Sequence, residues 1–185
     1  MIKNQTELLT ALKQVETLDG RIPVYRDTDI RFELVDPADL KPTAKYVIES
    51  NLERVNATRE ALIDRDGTDI YKTPCGSLYE GFLITPPVVE GDEIVDGLHR
   101  CYDSLHDGRE ILVARVTGVS ESLPSIGSPI SWDQVKRFDH RPSLAGDCRE
   151  LKHNIVGIPS ELRSLFRDFS GLGSTGRRPS QGQNS

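Results

Sequence analysis

Apolar residues recur at helical spacing near the middle of the chain, between two short apolar runs. One helix face is formed by positions i, i+3, i+4 and i+7, which are Leu98, Cys101, Tyr102 and Leu105. The flanking runs at 93–95 and 111–116 are typical of strands. Gly97 and Gly108 bound the helix, because glycine readily adopts the left-handed angles of turns and helix ends. The pattern over residues 91–118 therefore predicts a strand, a turn, a short helix, a turn and a second strand.

Three further segments carry apolar residues at helical spacing. Residues 4–17 contain a leucine stripe, and we expect this helix to pack on the domain. Residues 50–66 open with Ser50 and Glu53 in a capping-box pattern, which makes Glu53 a predicted helix cap. Arg54 and Arg59 of this helix are expected at a solvated or phosphate-facing edge. Residues 160–170 form the third predicted helix, which ends at a glycine.

Strand patterns occur before and after the second helix. Arg31–Val35 is a predicted strand, and residues 24–26 are a shorter candidate. Residues 85–89 lead into the central unit as another strand. Residues 68–80 are broken by proline and glycine, which leaves a substrate loop and an ordinary hairpin as equal alternatives. Residues 132–138 are compatible with a short helix or a strand.

Composition limits the class of protein. Hydrophobic residues make up 36% and charged residues 28% of 185 residues, which is typical of a globular α/β (α+β) domain. The net charge of −6 argues against a general DNA-binding surface. No apolar run is long enough for a membrane span, and no signal peptide is recognisable. Three widely spaced cysteines predict a cytoplasmic setting without a zinc site.

Candidate chemistry is concentrated where the first strand of the central unit meets the helix. The backbone N–H groups of Leu98 and His99, next to Gly97, would lie at a helix N-terminus, where an anion such as phosphate binds well. Arg100 would add a charge-assisted contact, and His99 a hydrogen bond or a proton transfer near neutral pH. Asp96 beside this anion would suit a Mg²⁺ ligand.

The segment Asp96-Gly97-Leu98-His99-Arg100, between an Ile-Val strand and a short helix, resembles the Asp-Gly-His-His-Arg signature of the ParB/sulfiredoxin-like superfamily. The resemblance covers roughly 31–118. Members include chromosome-partition ParB proteins, which bind CTP, sulfiredoxins, which use ATP, and free serine kinases, which are the most similar group in style. The resemblance implies a mixed sheet with short helices that holds nucleotide phosphates at this turn, with ATP or ADP, alternatively CTP, and Mg²⁺.

The chain departs from each subgroup at particular residues. The serine kinases carry a catalytic Glu after a Pro-Thr step, but here Thr43 is followed by Ala44, so Glu49 or Glu53 is the candidate base and Thr43 a candidate phosphate contact. Sulfiredoxins need a cysteine where Leu98 stands. Cys101 nearby is expected to be packed rather than reactive. A partition ParB needs a helix-turn-helix domain, for which residues after 118 offer no basic recognition helix.

These observations favour a nucleotide-dependent phosphotransferase that acts on a small-molecule hydroxyl. Its candidate catalytic residues are Asp96, His99, Glu49 and Glu53. The rival interpretations are a non-catalytic nucleotide-binding regulatory module, switched by CTP or ATP, and a ParB-like nuclease. Asp92, Glu93 and Asp96 give a nuclease only a partial set of acidic ligands. The acceptor remains unidentified, and a homodimer is left open.

The predicted domain organisation has four parts. Residues 1–30 form an N-terminal helix and extension, and residues 31–120 form the nucleotide-binding domain. Residues 121–170 form a C-terminal extension that packs on this domain. Residues 171–185 are rich in Gly, Ser, Gln and Arg, which predicts a disordered tail.

Overall fold

The computed structural model describes residues 5–13, 25–72, 77–79, 82–84, 86–119 and 128–140. The predicted helix at 160–170 and the predicted disordered tail lie outside the described residues. So do most of the linker after residue 119 and residues 14–17 of the first predicted helix. The boundaries of the four predicted parts remain predictions.

A four-stranded mixed sheet forms the centre of the fold, with its strands in the spatial order 29–35, 111–117, 88–90 and 93–96. Its strands are β1 (Asp29–Val35), β5 (Val88–Glu90), β6 (Glu93–Asp96) and β7 (Ile111–Thr117). β7 pairs antiparallel with β1 and parallel with β5, and β5 pairs antiparallel with β6. Two smaller pairs accompany this sheet. They are the parallel pair β2 (Tyr46–Ile48) and β8 (Lys136–Phe138), and the antiparallel hairpin β3 (Ser77–Tyr79) and β4 (Phe82–Ile84).

Apolar residues on the strands alternate between two cores, because successive side chains of a strand point to opposite faces. Val89 and Val113 belong to a core shared with α2 (Glu49–Asp66) and α3 (Leu98–His106). Val88 and Val116 belong to a second core that contains Leu12 of α1 (Gln5–Lys13). The sheet therefore carries helices on both faces, which confirms the predicted α/β (α+β) class with a mixed sheet and short helices.

The central unit is confirmed almost residue for residue. β6, α3 and β7 follow one another as the apolar spacing predicted, with Gly97 and Gly108 at positive φ angles of 88° and 62°. α2 ends at Gly67, in the left-handed conformation, as predicted. Its start was predicted wrongly. The helix begins at Glu49 with Ile48 as the N-cap residue, so Ser50 and Glu53 lie inside it and form no capping box.

Three other local predictions can be compared with the structure. Tyr25 and Arg26 lie in a turn rather than a strand, because the Tyr25 ring is buried under the sheet and its hydroxyl donates to Glu90 Oε1 at 2.9 Å. The segment after α2 contains the β3–β4 hairpin, the plainer of the two alternatives. Residues 132–138 contain both candidate elements, a 3₁₀ turn at Trp132–Gln134 followed by β8.

A buried polar cluster joins α2 to α3. The Tyr71 hydroxyl donates to Asp103, and Arg59 Nη1 donates to that hydroxyl at 3.2 Å. Arg59 also forms ion pairs with Asp103 and Asp107. Burial and the Asp103 carboxylate raise the pKa of Tyr71, so the hydroxyl keeps its proton and remains a donor. Arg59 was expected at a solvated or phosphate-facing edge and instead fixes the relative position of two helices.

In the part of the chain that the structure describes, no helix has the length and apolar character needed to cross a membrane.

Candidate functional site

The turn between β6 and α3 can be built only with glycine at position 97. Gly97 has φ 88° and ψ 20°, in the left-handed region, and it is the N-cap of α3. A Cβ added there would lie 2.7 Å from the Cβ of Pro87. The carbonyl of Gly97 accepts from the N–H groups of Arg100 and Cys101 at 3.0 and 3.1 Å. The N–H groups of Leu98 and His99 therefore precede the helix's own bonds and lie at its positive end.

His99 connects this turn to the start of α2. Its Nε2 accepts a hydrogen bond from the backbone N–H of Ile48 at 3.0 Å, and Asn51 Nδ2 lies 3.4 Å away. Burial, with the positive charges of Arg54 and Arg100, lowers the pKa of His99 to about 4. His99 is therefore neutral at pH 7, with its proton on Nδ1. Nε2 is committed to Ile48, so His99 joins the N-termini of α2 and α3.

Arg100 and Asp96 flank the turn. The Arg100 side chain is 1% exposed and that of Asp96 is 18% exposed, and Arg100 Nη2 lies 3.9 Å from Asp96 Oδ2. Asp96 is thus an ion-pair partner of Arg100. Burial lowers the pKa of Arg100, but a guanidinium keeps its charge at pH 7. A buried cation therefore lies in the first turn of α3.

A second cation, which the sequence predicted at a solvated or phosphate-facing edge, comes from α2. Arg54 is half-buried, donates to Asn51 Oδ1 and lies close enough to lower the pKa of His99. Residues 51 and 54 are one turn apart, so both project from the first turns of α2 towards α3. The signal in the sequence was weak, because an arginine in an amphipathic helix usually lies on a solvated face.

The segment before β2 lies along β6, beside the turn. Lys41 N–H donates to the carbonyl of Asp92 at 2.7 Å, and Ile94 N–H donates to the carbonyl of Lys41 at 2.8 Å. The Thr43 hydroxyl donates to the carbonyl of Ile94 at 2.7 Å and is buried. Thr43 is therefore near the candidate site, but its hydroxyl proton is used to hold the segment against β6.

The two candidate bases have different surroundings. Glu49 directly follows Ile48, the residue that bonds His99, and its carboxylate pairs with Arg137 of β8. Glu53 lies one turn further along α2 and is exposed. The structure thus places Glu49 beside the two helix N-termini. Catalytic roles for both residues remain predictions.

Two observations bear on metal binding and on thiol chemistry at this site. Among the described residues, no group of three or more His, Cys, Asp and Glu side chains is placed to hold a metal ion. Asp96 would contribute one carboxylate to a Mg²⁺ whose other ligands came from phosphate and water, an arrangement that Mg²⁺ commonly uses. Cys101 is 0% exposed, and burial raises its pKa to about 12, which confirms that it is a packed residue.

Comparison with known proteins identifies a family for most of the chain. The family model described as the ParB CE domain matches residues 7–136. Comparisons with curated proteins and with solved structures give no match. The family match confirms the ParB-like resemblance drawn from the Asp96–Arg100 segment. It extends across both predicted boundaries of the central domain, from α1 to the start of β8.

Proposed function

This chain belongs to the ParB CE domain family, and we propose that it binds the phosphates of a nucleotide at the Asp96–Arg100 turn. The ligand would be ATP or ADP, with CTP as the alternative, together with Mg²⁺. The observation that carries the proposal is that the N-termini of α2 and α3 meet at His99, whose imidazole bonds the N-cap residue of α2.

The charges around this meeting point favour a polyanion. Each helix N-terminus carries roughly half a positive charge, and Arg54 and Arg100 add two full charges next to His99. Since His99 is neutral, it contributes no charge of its own, and its Nδ1 proton is a donor suited to a phosphate oxygen. Gly97 keeps the backbone close to the position that the anion would occupy, as glycines do in phosphate-binding turns.

A thermal-shift screen tests binding directly. The wild type would be heated with ATP, ADP, CTP and GTP, each with and without Mg²⁺, beside Arg100→Ala and the control Arg31→Ala. Arg31 is a suitable control, because it lies on β1 with its side chain 79% exposed. A nucleotide at ~100 times its Kd should add about 2.7 kcal/mol of stability to the wild type and to the control. The same nucleotide should leave Arg100→Ala unshifted.

Because Arg100 is buried, its replacement could also weaken the fold. Asp96→Asn provides a second variant, since the amide retains the shape of the carboxylate and removes its charge. Asp96→Asn should keep nucleotide binding without Mg²⁺ and lose the additional stabilisation that Mg²⁺ provides. The proposal fails if no nucleotide stabilises the wild type.

Phosphoryl transfer to a small-molecule hydroxyl is the second candidate function, and the position of Glu49 favours it. A phosphotransferase must place the phosphates, neutralise their charge and orient the acceptor hydroxyl. Glu49 would orient the acceptor, from the start of the helix that His99 joins to the phosphate turn. A bound Mg²⁺ would neutralise charge on the phosphate oxygens, with Asp96 as its protein ligand.

Turnover separates the two candidates. The protein would be incubated with ATP or ADP, Mg²⁺ and a panel of small alcohols that includes serine, and product would be followed by ³¹P NMR. For a phosphotransferase, Glu49→Gln should lower turnover by at least tenfold and leave nucleotide binding unchanged, whereas Glu53→Gln, one turn away, should have no effect. Binding without turnover for every acceptor would support the non-catalytic regulatory module.

A further inference from the structure

The central sheet has an accessible edge at strand β1. β1 and β6 are its two outermost strands, and β6 is bonded by the segment that contains Lys41. Within the described ranges, β1 pairs with β7 alone. The side chain of Arg31, in the middle of β1, is 79% exposed. Because the outer backbone groups of an edge strand lack a partner strand, such an edge is a template on which another strand can pair.

The hydrogen bonds of β7 determine which backbone groups of β1 point to this edge. Ala114 N–H donates to the carbonyl of Pro87, which precedes β5, so the even-numbered residues of β7 bond towards β5. Since bonding directions alternate along a strand, the odd-numbered residues of β7 bond β1. The register pairs odd-numbered residues of β7 with odd-numbered residues of β1. The residues of β1 whose N–H and C=O groups point outward are therefore Ile30, Phe32 and Leu34.

The charges of β1 are self-complementary in one antiparallel register. Two copies of the strand related by a twofold axis at Phe32 would pair through these outward backbone groups, and all seven residues of β1 would be paired. Arg31 would then lie opposite Glu33 of the second copy, and Glu33 opposite Arg31 of the second copy. Both pairs are non-hydrogen-bonded positions, where opposing side chains are closest.

The neighbouring registers bring like charges together. A slip of one residue is excluded, because it sets an outward-pointing residue against an inward-pointing one. A slip of two residues in one direction places Arg31 opposite itself and Asp29 opposite Glu33, and a slip in the other direction places Glu33 opposite itself. Like charges that face each other directly destabilise a strand pair. The charged side chains of this edge therefore oppose other registers and favour a single one.

The same register covers the apolar side chain that β1 leaves exposed. Ile30 is buried in the core that contains α1, and Phe32 packs against that core. Leu34 is on the same side of the strand, because side chains alternate, but it is 48% exposed. The register places Leu34 opposite Ile30 of the second copy. The apolar face of the sheet would thus continue across the twofold axis.

We propose that two copies of this chain pair antiparallel through β1, so that their four-stranded sheets join into one continuous sheet. The occupant of the edge is thus a second copy of the chain, held in register by two Arg31–Glu33 pairs. β1 is at the opposite edge of the sheet from β6 and the Gly97 turn. Pairing therefore does not involve the proposed nucleotide site, and the inference is independent of the proposed function.

Sedimentation velocity of the full chain at several protein concentrations tests the proposal. We expect the wild type to form a species of twice the mass of one chain. Arg31→Glu and Glu33→Arg, each alone, should weaken self-association by about tenfold or more, because each sets like charges opposite one another. An equimolar mixture of these two variants should restore the dimer, since both opposing pairs again have opposite charges. Lys136→Glu, an equal change of charge at an exposed position on β8, should leave association unchanged.

A further variant keeps the test independent of folding effects at position 33. Glu33 pairs with Arg115 in its own chain, so Glu33→Arg also removes that contact. Leu34→Lys leaves it intact and should also weaken association by about tenfold or more, because it sets a charge opposite Ile30. A monomeric wild type would overturn the proposal, as would wild-type association of both Arg31→Glu and Leu34→Lys. If the two charge variants fold by circular dichroism but their mixture stays monomeric, the proposed pairing is also refuted.

Discussion

His99 Nε2 accepts a hydrogen bond from the backbone N–H of Ile48 at 3.0 Å, across 51 residues of sequence. Ile48 is the N-cap of α2, a residue without a side chain that could cap the helix. The imidazole thus satisfies a backbone donor next to α2 from a residue in the first turn of α3. This bond holds the N-termini of α2 and α3 next to each other.

Replacement of His99 should destabilise the fold. His99→Phe has a similar shape but no acceptor, so it leaves the Ile48 N–H without its partner at a half-buried position. We expect a loss of about 1–3 kcal/mol in the free energy of unfolding, measured by urea titration at pH 7.5. His106→Phe, at the exposed end of the same helix, should change that free energy by less than ~0.5 kcal/mol.

His99 should also make stability depend on pH. Its pKa is about 4 in the folded chain and ~6.5 when unfolded, so between these values the unfolded chain binds more protons. The stabilising contribution is complete above pH ~6.5 and is lost as the pH falls towards 4, by about 3 kcal/mol. The wild type should lose more stability than His99→Phe between pH 7.5 and 4.5. Equal losses would show that His99 is not buried in its neutral form.

Gly97→Ala should be among the most disruptive single substitutions in the central unit. It combines a φ of 88° with a Cβ that would lie 2.7 Å from Pro87 Cβ. The expected cost is about 2–5 kcal/mol, from backbone strain and overpacking together. Gly108→Ala is the matched control, with φ 62° and nothing within 4 Å, and should cost only about 1–2 kcal/mol. Equal costs in urea unfolding would contradict the close contact with Pro87.

Tyr71→Phe tests the buried polar cluster between α2 and α3. Loss of the hydroxyl removes one donor from Asp103 and one acceptor from Arg59, which should cost about 1–3 kcal/mol. A double-mutant cycle with Asp103→Asn should show that the two changes are not additive, because they remove the same hydrogen bond. Additive losses would indicate that Tyr71 and Asp103 stabilise the fold independently.

The Glu49–Arg137 pair should matter little for stability. Its side chains are 36% and 52% exposed, so water screens the attraction. Arg137→Ala should change the free energy of unfolding by less than ~1 kcal/mol. Any larger effect of this variant on nucleotide affinity or turnover would therefore reflect the site rather than the fold. A stability loss above 2 kcal/mol would show that β8 depends on this pair.

The parts of the fold that the sequence predicted are those with local causes. The spacing of Leu98, Cys101 and Leu105 and the glycines around them determine where α3 begins and ends, so β6, α3 and β7 were found correctly. The start of α2 was missed, because Ser50 and Glu53 match the capping-box sequence pattern although they lie inside the helix. The backbone N–H of Ile48, the true N-cap residue, donates instead to His99, which is distant in sequence. Tyr25 was missed for a similar reason, since its partner Glu90 is 65 residues away.

In the candidate site, too, the features with local causes were predicted and those that depend on tertiary contacts were not. The sequence predicted the turn at Gly97 from its glycine and its position after a strand, but it gave no indication that Pro87 packs against it. It also did not predict Asn51, and for Arg54 it left a solvated and a phosphate-facing edge as alternatives, because the contacts of helical residues depend on how the helix packs against another element. The sequence predicted that His99 donates a hydrogen bond or transfers a proton near neutral pH. Tertiary contacts instead make it a neutral imidazole that joins two helices.

The central claim is that nucleotide phosphates bind at the N-terminus of α3. Backbone amide ¹H–¹⁵N spectra of the wild type, recorded during titration with the nucleotide that gives the largest thermal shift, test it most directly. We expect the largest shift changes at Gly97, Leu98 and His99, with smaller changes at the amides that start α2. Binding that leaves those three amides unchanged and shifts resonances elsewhere would contradict the claim.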